Sequence, residues 1–401
     1  MVNLDKPFTF ENSSNPWLMD KKDDSSVLVM NGHKLTAAYL WSLNEKERNA
    51  ALEFVFQHYR INGFPKISFS SSKLKSEFNK LCAYNEENAV TKDGFISNSG
   101  NLCIDLCKFF CQEYFYNAKG GRNTLSVKDV FDNDELLIRV LKNRMGWNTT
   151  KEGGGKERPY LFPISDKQLL NGIRNSGLGY AVSNFRPGVG KWIYAKAAKL
   201  ANVETKAKVF DYSGGWGARA LAALSLGFDY DVTDPLTSEC IRKCINAFKL
   251  DSQECNAYDK CSEDLFFRSD EFNQKYDVIG SCPPYFDLEI YSDDEKQSTS
   301  TCSEYEKWLE IYWRGTVRNC VHMLKDNGVF VLVIKETIDK HEICKDMCNV
   351  LFSEGLSIVV EKYYYKTNTN HLSGKTKSRR SSKTNEIVLF LKRNFKALAC
   401  K

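Results

Sequence analysis

No Cys-x-x-Cys pair occurs in the 401 residues, although the chain has fourteen cysteines. Without that pair, zinc-site and disulfide-framework readings lose their usual spacing signal. Cys103, Cys107 and Cys111 recur every four residues, as do Cys240/Cys244 and Cys344/Cys348. On a helix each set lies along one face. Reduced, half-buried thiols without a bound metal are the expectation. No apolar run is long enough to span a membrane, and the N-terminus carries no signal-peptide pattern. A reducing, cytoplasmic compartment is therefore expected, with no membrane partner. A strong charge of one sign is also lacking. The formal net charge of +5 permits a polyanionic partner without demanding one. There is no internal repeat, and no helix-turn-helix or zinc-finger pattern declares a nucleic-acid module.

What the chain does have is length enough for two domains. Residues 1–30 are polar and irregular, which predicts a loose arm. Asn44-Glu-Lys-Glu47 has the form of a capping box. Leu52, Val55, Phe56 and Tyr59 follow as a helical stripe up to the Asn62-Gly63 break. Leu74, Phe78 and Leu81 repeat the period, as do Leu102, Leu106, Phe109 and Phe110. Asp132-Asn-Asp-Glu135 caps a further helix carrying Leu136, Leu137, Val140 and Leu141. These patterns predict a smaller, mainly helical accessory domain over residues 1–155, with DNA recognition as one role for it. Gly153-Gly154-Gly155 costs too much inside a helix or strand and marks the boundary; the alternative is a mobile loop over an active site.

Beyond that point the period changes. Strand-like runs at 208–212, 229–233, 276–280 and 328–334 alternate with helix-length segments at 218–225, 238–248 and 304–323. Such alternation predicts an α/β domain over 156–401, with a parallel sheet covered on both faces. Runs at 356–365 and 386–392 are separated by only a loop and predict an antiparallel pair at a sheet edge.

Two stretches carry chemistry. The first, Asp211-Tyr-Ser213-Gly214-Gly215-Trp-Gly217, joins a strand to a helix. Its glycines allow a sharp turn, and free amides at a helix start favour an anionic group. Asp234 ends the next strand about 20 residues on, where a carboxylate can accept from both ribose hydroxyls. Gly215-Trp-Gly217-Ala-Arg-Ala220 matches a dinucleotide fingerprint equally well, so the turn alone leaves two cofactors open. The second stretch is Cys282-Pro283-Pro284-Tyr285-Phe286. Two prolines take the chain rigidly out of a strand while their carbonyls keep full acceptor capacity. Those carbonyls and the Tyr285 face suit a flat, amino-bearing ring.

Together these stretches resemble the amino-methyltransferases that modify adenine N6 or cytosine N4 in DNA. Pro283-Pro284-Tyr285 resembles motif IV of that family, and residues 211–217 resemble motif I. Ser183-Asn184-Phe185-Arg-Pro resembles motif X, and Cys261-Ser-Glu-Asp264-Leu stands where motif III is placed. The order X, I, III, IV favours this family over dinucleotide enzymes. The likeness covers roughly residues 180–395 and is strongest to phage-type methylase-like proteins.

The resemblance implies a Rossmann-like class I methyltransferase sheet and S-adenosylmethionine as cofactor. It implies cofactor contacts from Asn184, Phe185, Asp211, Ser213, Gly214, Gly215, Gly217, Asp234 and Asp264. DNA is the implied partner, with RNA as the alternative, in a bacterial or phage-infected cell. In the family, the first motif IV side chain and the first proline's carbonyl accept the target's N–H protons. Here that side chain is Cys282, a poor acceptor, with Ser281 as a substitute if the turn is shifted by one. A cytosine C5 nucleophile would follow the proline, whereas Cys282 precedes Pro283. Tyr285 is expected to stack on a base taken out of its helix. Asp287 and Glu289 either line the base pocket or face solvent, and Phe286 is pocket wall or core. No long segment after motif IV offers a separate recognition domain. Lys375, Lys377, Arg379 and Arg380, in the loop of the last hairpin, suit phosphate contact. A catalytically silent nucleic-acid-binding protein on the same fold is the rival reading.

Overall fold

Tyr276–Ser281 is buried along nearly its whole length, as the apolar run predicts for a strand in mid-sheet. The computed structural model describes residues 28–97, 100–120, 124–145, 164–179, 182–288, 290–291, 296–338, 341–365 and 386–394. Those described within Met1–Phe69 and Asn123–Ala181 form one compact unit, and those within Ser70–Arg122 and Val182–Lys401 form a second.

The first unit holds a two-stranded antiparallel ladder, β1 (Val29–Met30) and β2 (His33–Lys34). Leu28 is fully buried and its N–H bonds to the Ile164 carbonyl, so residues 28–30 are not part of a loose arm. The helix Glu45–Asn62 begins with the expected box: Asn44 accepts from the Glu47 N–H and Glu47 accepts from the Asn44 N–H. It ends at Gly63, whose φ of 78° would strain any other residue. Asn133 caps Asp134–Arg144 by accepting from the Leu136 N–H.

The second unit is built on a seven-stranded sheet. Its strands are β3 (Lys208–Asp211), β4 (Asp229–Thr233), β5 (Cys255–Tyr258), β6 (Tyr276–Ser281), β7 (Leu324–Lys335), β8 (Ile358–Tyr364) and β9 (Glu386–Lys392). The order is β5-β4-β3-β6-β7-β9-β8. Strands β3 to β7 run parallel, while β9 lies antiparallel between β7 and β8. This is the expected Rossmann-like parallel sheet with its C-terminal antiparallel hairpin. β8 takes the outer edge, and β9 is inserted beside β7. On one face the helix Pro187–Leu200 packs against Ala218–Ser225. On the other, Arg314–Met323 and Ile343–Ser353 cover a core rich in aromatic rings. The predicted helix at 304–323 contains a π-helical segment, Trp308–Trp313, which turns Trp308 and Trp313 fully inward.

The division of the chain differs from a boundary near residue 155. The helices Ser71–Cys82 and Ile104–Asn117 belong with the sheet, because their caps and side chains are used there. Lys191, on the helix Pro187–Leu200, is buried and donates to the carbonyls of Leu81, Cys82 and Tyr84 at 2.8–3.0 Å. These carbonyls stand at the C-terminal end of Ser71–Cys82 and in its following turn, where the helix's own donors run out. Phe78 stacks on Phe248 at 4.5 Å. Cys107, Cys111 and Cys244 are fully buried in this unit rather than half-exposed. Gly153, Gly154 and Gly155 lie outside the described residues. No described helix is long and apolar enough to cross a membrane.

Candidate functional site

A cavity of about 370 Å³ opens at the carboxyl ends of the parallel strands, between β3 and β6, where the strand order reverses. Open α/β sheets leave their ligand crevice at that point. Its lining comes from residues 183–186, 212–216, 234–237, 261–263 and 282–285, with Lys335, Tyr365 and Glu386 from the hairpin side.

The turn after β3 is set by carboxylates at two depths. Asp211 is fully buried. It accepts from Arg219 Nε at 2.8 Å, Tyr230 Oη at 2.7 Å, Ser281 Oγ at 2.6 Å and the Ser213 N–H at 3.1 Å. A buried carboxylate needs such a shell. This corrects the expectation that Asp211 contacts a ligand: it is a structural anchor beneath the turn and does not line the cavity. The same bonds correct Ser281, whose hydroxyl is turned inward to Asp211 and the Ser213 carbonyl. It is therefore not a substitute acceptor. One carboxylate thus ties the glycine turn to the strand that carries the Pro-Pro turn.

Asp234 does line the cavity. Its Oδ1 accepts from the Leu236 and Thr237 N–H groups at 3.0 and 2.8 Å, and its Oδ2 accepts from the Gly215 N–H at 2.9 Å. Oδ2 keeps capacity for a further donor. Gly214 lies so close to β4 and the helix Ser238–Phe248 that an added Cβ would sit 2.4 Å from Ile241 Cδ1. Gly217, at φ 78°, opens the helix Ala218–Ser225 but stands outside the lining, which corrects its place among the cofactor contacts. Trp216 packs edge-on against Phe115 and donates to the Ser183 carbonyl at 3.2 Å, fixing the segment before the helix Pro187–Leu200.

On that segment, Asn184 and Phe185 both face the cavity. Arg219 lies 5.1 Å from the Phe185 ring centroid. Asn184 Oδ1 is buried with no hydrogen-bond partner among the described residues. Glu263 Oε2 is in the same condition, and burial pushes that carboxyl above the usual carboxylate range. Asp264 is corrected as well. It caps the 3-10 turn Leu265–Arg268 by accepting from the Phe266 N–H, and its neighbour Glu263 takes the place in the wall. A loop's side-chain directions are decided by its turn, so adjacent acidic residues cannot be told apart in sequence.

Cys282, Pro283, Pro284 and Tyr285 form the opposite wall. Phe286 adopts φ 49°, uncommon for a bulky side chain, and is held by Tyr305, Trp308 and His341 at 5.4, 5.8 and 6.4 Å. It is core, and its packing fixes the wall beside it. Tyr285 donates to Glu386 Oε1 at 2.5 Å, and Cys282 Sγ lies 3.2 Å from the same hydroxyl. Glu386 starts β9 opposite Lys335, whose ammonium is 5.7 Å from the Tyr285 ring centroid. Sequence reasoning missed Glu386, which is 101 residues from Tyr285 and carries no motif. It also missed Lys335, Tyr312 and Tyr365. Glu289, Lys375, Lys377, Arg379 and Arg380 lie outside the described residues.

No family model and no curated protein matches the chain. Solved structures with a similar fold include an S-adenosylmethionine-dependent methyltransferase from Agrobacterium tumefaciens. That one is 15% identical, with 54% of this chain matched to 65% of the other and a TM-score of 0.37. Another is the 16S rRNA N2 G1207 methyltransferase of Thermus thermophilus, determined with its cofactor and guanosine. It is 14% identical, over 54% of this chain and 44% of that one, with a TM-score of 0.32. A third is the 1,6-didemethyltoxoflavin-N1-methyltransferase of Burkholderia thailandensis, bound to S-adenosylhomocysteine. It is 11% identical, over 50% and 77% of the two chains, with a TM-score of 0.32. The chain spans less than two thirds of the length of the first two. Strand order and the position of the cavity define the class, an open, doubly wound α/β fold with its ligand crevice at the switch point.

Proposed function

We propose that the chain is an S-adenosylmethionine-dependent methyltransferase acting on the exocyclic amine of a base in DNA, N6 of adenine or N4 of cytosine. The observation that carries this reading is a single cavity with two chemically different walls. One wall holds the glycine turn, Asp234 and two unsatisfied acceptors, Asn184 Oδ1 and Glu263 Oε2. The other holds Pro283, Pro284 and Tyr285.

The first wall fits the cofactor. Unsatisfied buried acceptors are costly unless a ligand supplies donors. S-adenosylmethionine has such donors in its α-ammonium, ribose hydroxyls and adenine amine. In this reading Asn184 takes the ammonium, Asp234 Oδ2 a ribose hydroxyl and Glu263 the adenine amine. The bound cofactor supplies an electrophilic methyl group. The protein's own task is to hold an amine whose lone pair is delocalised into its ring. The Pro283 carbonyl accepts one N–H, and Tyr285 bounds the cavity beside it.

The cofactor assignment is tested by thermal unfolding. At a hundredfold excess over Kd, S-adenosylmethionine is expected to stabilise the chain by about 2.7 kcal/mol. A rise with NADH and none with S-adenosylmethionine would overturn it. The DNA assignment is tested at the cationic loop. Changing Lys375, Lys377, Arg379 and Arg380 together to glutamine is expected to weaken DNA binding and flatten its salt dependence, because fewer counterions are released. An unchanged slope returns the loop to solvent.

One observation favours a silent binder: the side chain at the first motif IV position is a thiol that already faces the Tyr285 hydroxyl. Cofactor and DNA binding without methyl incorporation would select that reading.

A further inference from the structure

Tyr285 has one hydroxyl hydrogen, and the contact to Glu386 Oε1 at 2.5 Å uses it. Its oxygen can then only accept from its other neighbours. Cys282 Sγ, at 3.2 Å, is consequently the donor in the second contact. This is the opposite of the role its motif position calls for.

We infer that Glu386 is a positioning residue that turns the Tyr285 oxygen into the acceptor which Cys282 does not provide. The inference rests on the methyltransferase reading of this cavity. The supporting geometry is local. Glu386 lies at the first position of β9, held in register opposite Lys335, and both side chains line the cavity with Tyr285. The Phe286 packing and the two prolines keep the Tyr285 ring in place from the other side. A charge-assisted bond to an ionised carboxylate raises electron density on the phenolic oxygen and is about twice as strong as a neutral one.

The proton balance is complete within these groups. The new N–C bond uses the amine lone pair, and the electrons of the broken bond to the methyl carbon stay with the departing sulfur. The amine must then lose one proton. The Tyr285 oxygen takes it as the phenolic hydrogen passes to Glu386, and the resulting carboxylic acid returns the proton to water.

Two measurements test the assignment. The first needs no substrate. Site-resolved alkylation of Cys282 by iodoacetamide, read by mass spectrometry, reports whether the thiol hydrogen is engaged by Tyr285. Tyr285→Phe keeps the ring and removes the acceptor, and Glu386→Gln weakens its orientation. Both are expected to speed alkylation at Cys282 at least threefold, with Glu386→Asp nearer to wild type. Equal rates in all four proteins overturn the inference. The second uses denatured unmethylated genomic DNA and tritiated S-adenosylmethionine. Glu386→Gln is expected to lower kcat at least tenfold with cofactor Kd unchanged, and the double variant with Tyr285→Phe to be no slower than the slower single. Wild-type incorporation that Glu386→Gln leaves untouched overturns the inference and spares the methyltransferase reading. No incorporation by wild type overturns the DNA reading, and the alkylation rates then decide the role of Glu386.

Discussion

Asp211→Ala is expected to destabilise the protein by about 3–5 kcal/mol, the cost of leaving a buried charge without its partner. Arg219 would keep a guanidinium that is nine-tenths buried, with its main counter-ion gone. Tyr230 Oη and Ser281 Oγ would lose an acceptor as well. In a unit of this size each kcal/mol lowers the unfolding midpoint by about 2–4 °C, so a fall of roughly 6–20 °C is expected in calorimetry. Arg219→Met in the same chain should recover part of the loss, because a buried ion pair replaced as a whole costs far less than one that is broken. A fall under about 1 kcal/mol for Asp211→Ala would show that the carboxylate is not the tie between the glycine turn and the Pro-Pro turn.

The second large effect is expected at Asp234, and it falls on binding. Its carboxylate gathers the N–H groups of Gly215, Leu236 and Thr237. Hydrogen bonds to a charged group are worth about 1.5–3 kcal/mol each, although solvent replaces part of what is lost at this partly exposed position. Asp234→Ala should release both turns and remove the ribose acceptor together. A loss of at least about 2.7 kcal/mol in cofactor binding, a hundredfold rise in Kd, is expected by titration calorimetry. Asp234→Asn keeps one acceptor oxygen and should fall between the two. An unchanged Kd for Asp234→Ala would place the cofactor elsewhere in the cavity.

The two variants separate what a shared motif label merges. Asp211 ends β3 and Asp234 directly follows β4, each bonded to the same glycine turn, and both are implied as cofactor ligands by resemblance. Burial divides them. Asp211 points into the sheet-helix interior and spends its lone pairs there. Asp234 stands one strand over and faces the opening.

Much of the architecture was legible because its cause is local. Alternating runs and helix-length segments foretell a parallel sheet, since period 2 and period 3.6 are written in successive residues. The capping box at Asn44 and the stop at Gly63 are likewise short-range chemistry. The glycine and proline turns were legible for the same reason: each sets the φ available at its own position, proline by fixing it and glycine by freeing it. Three things were settled only in three dimensions. The helices Ser71–Cys82 and Ile104–Asn117 join the sheet unit through bonds such as those of Lys191, which link residues more than 100 apart in sequence. Glu263 rather than Asp264 reaches the cavity, because the 3-10 turn fixes which side chain faces in. Glu386 meets Tyr285 only because β9 is inserted antiparallel beside β7, which brings its first residue to the carboxyl end of the parallel strands. Sequence determined which segments could be strands, turns and helices; which acidic side chains share the cavity was decided by strand order, a property of the folded sheet that no local pattern encodes.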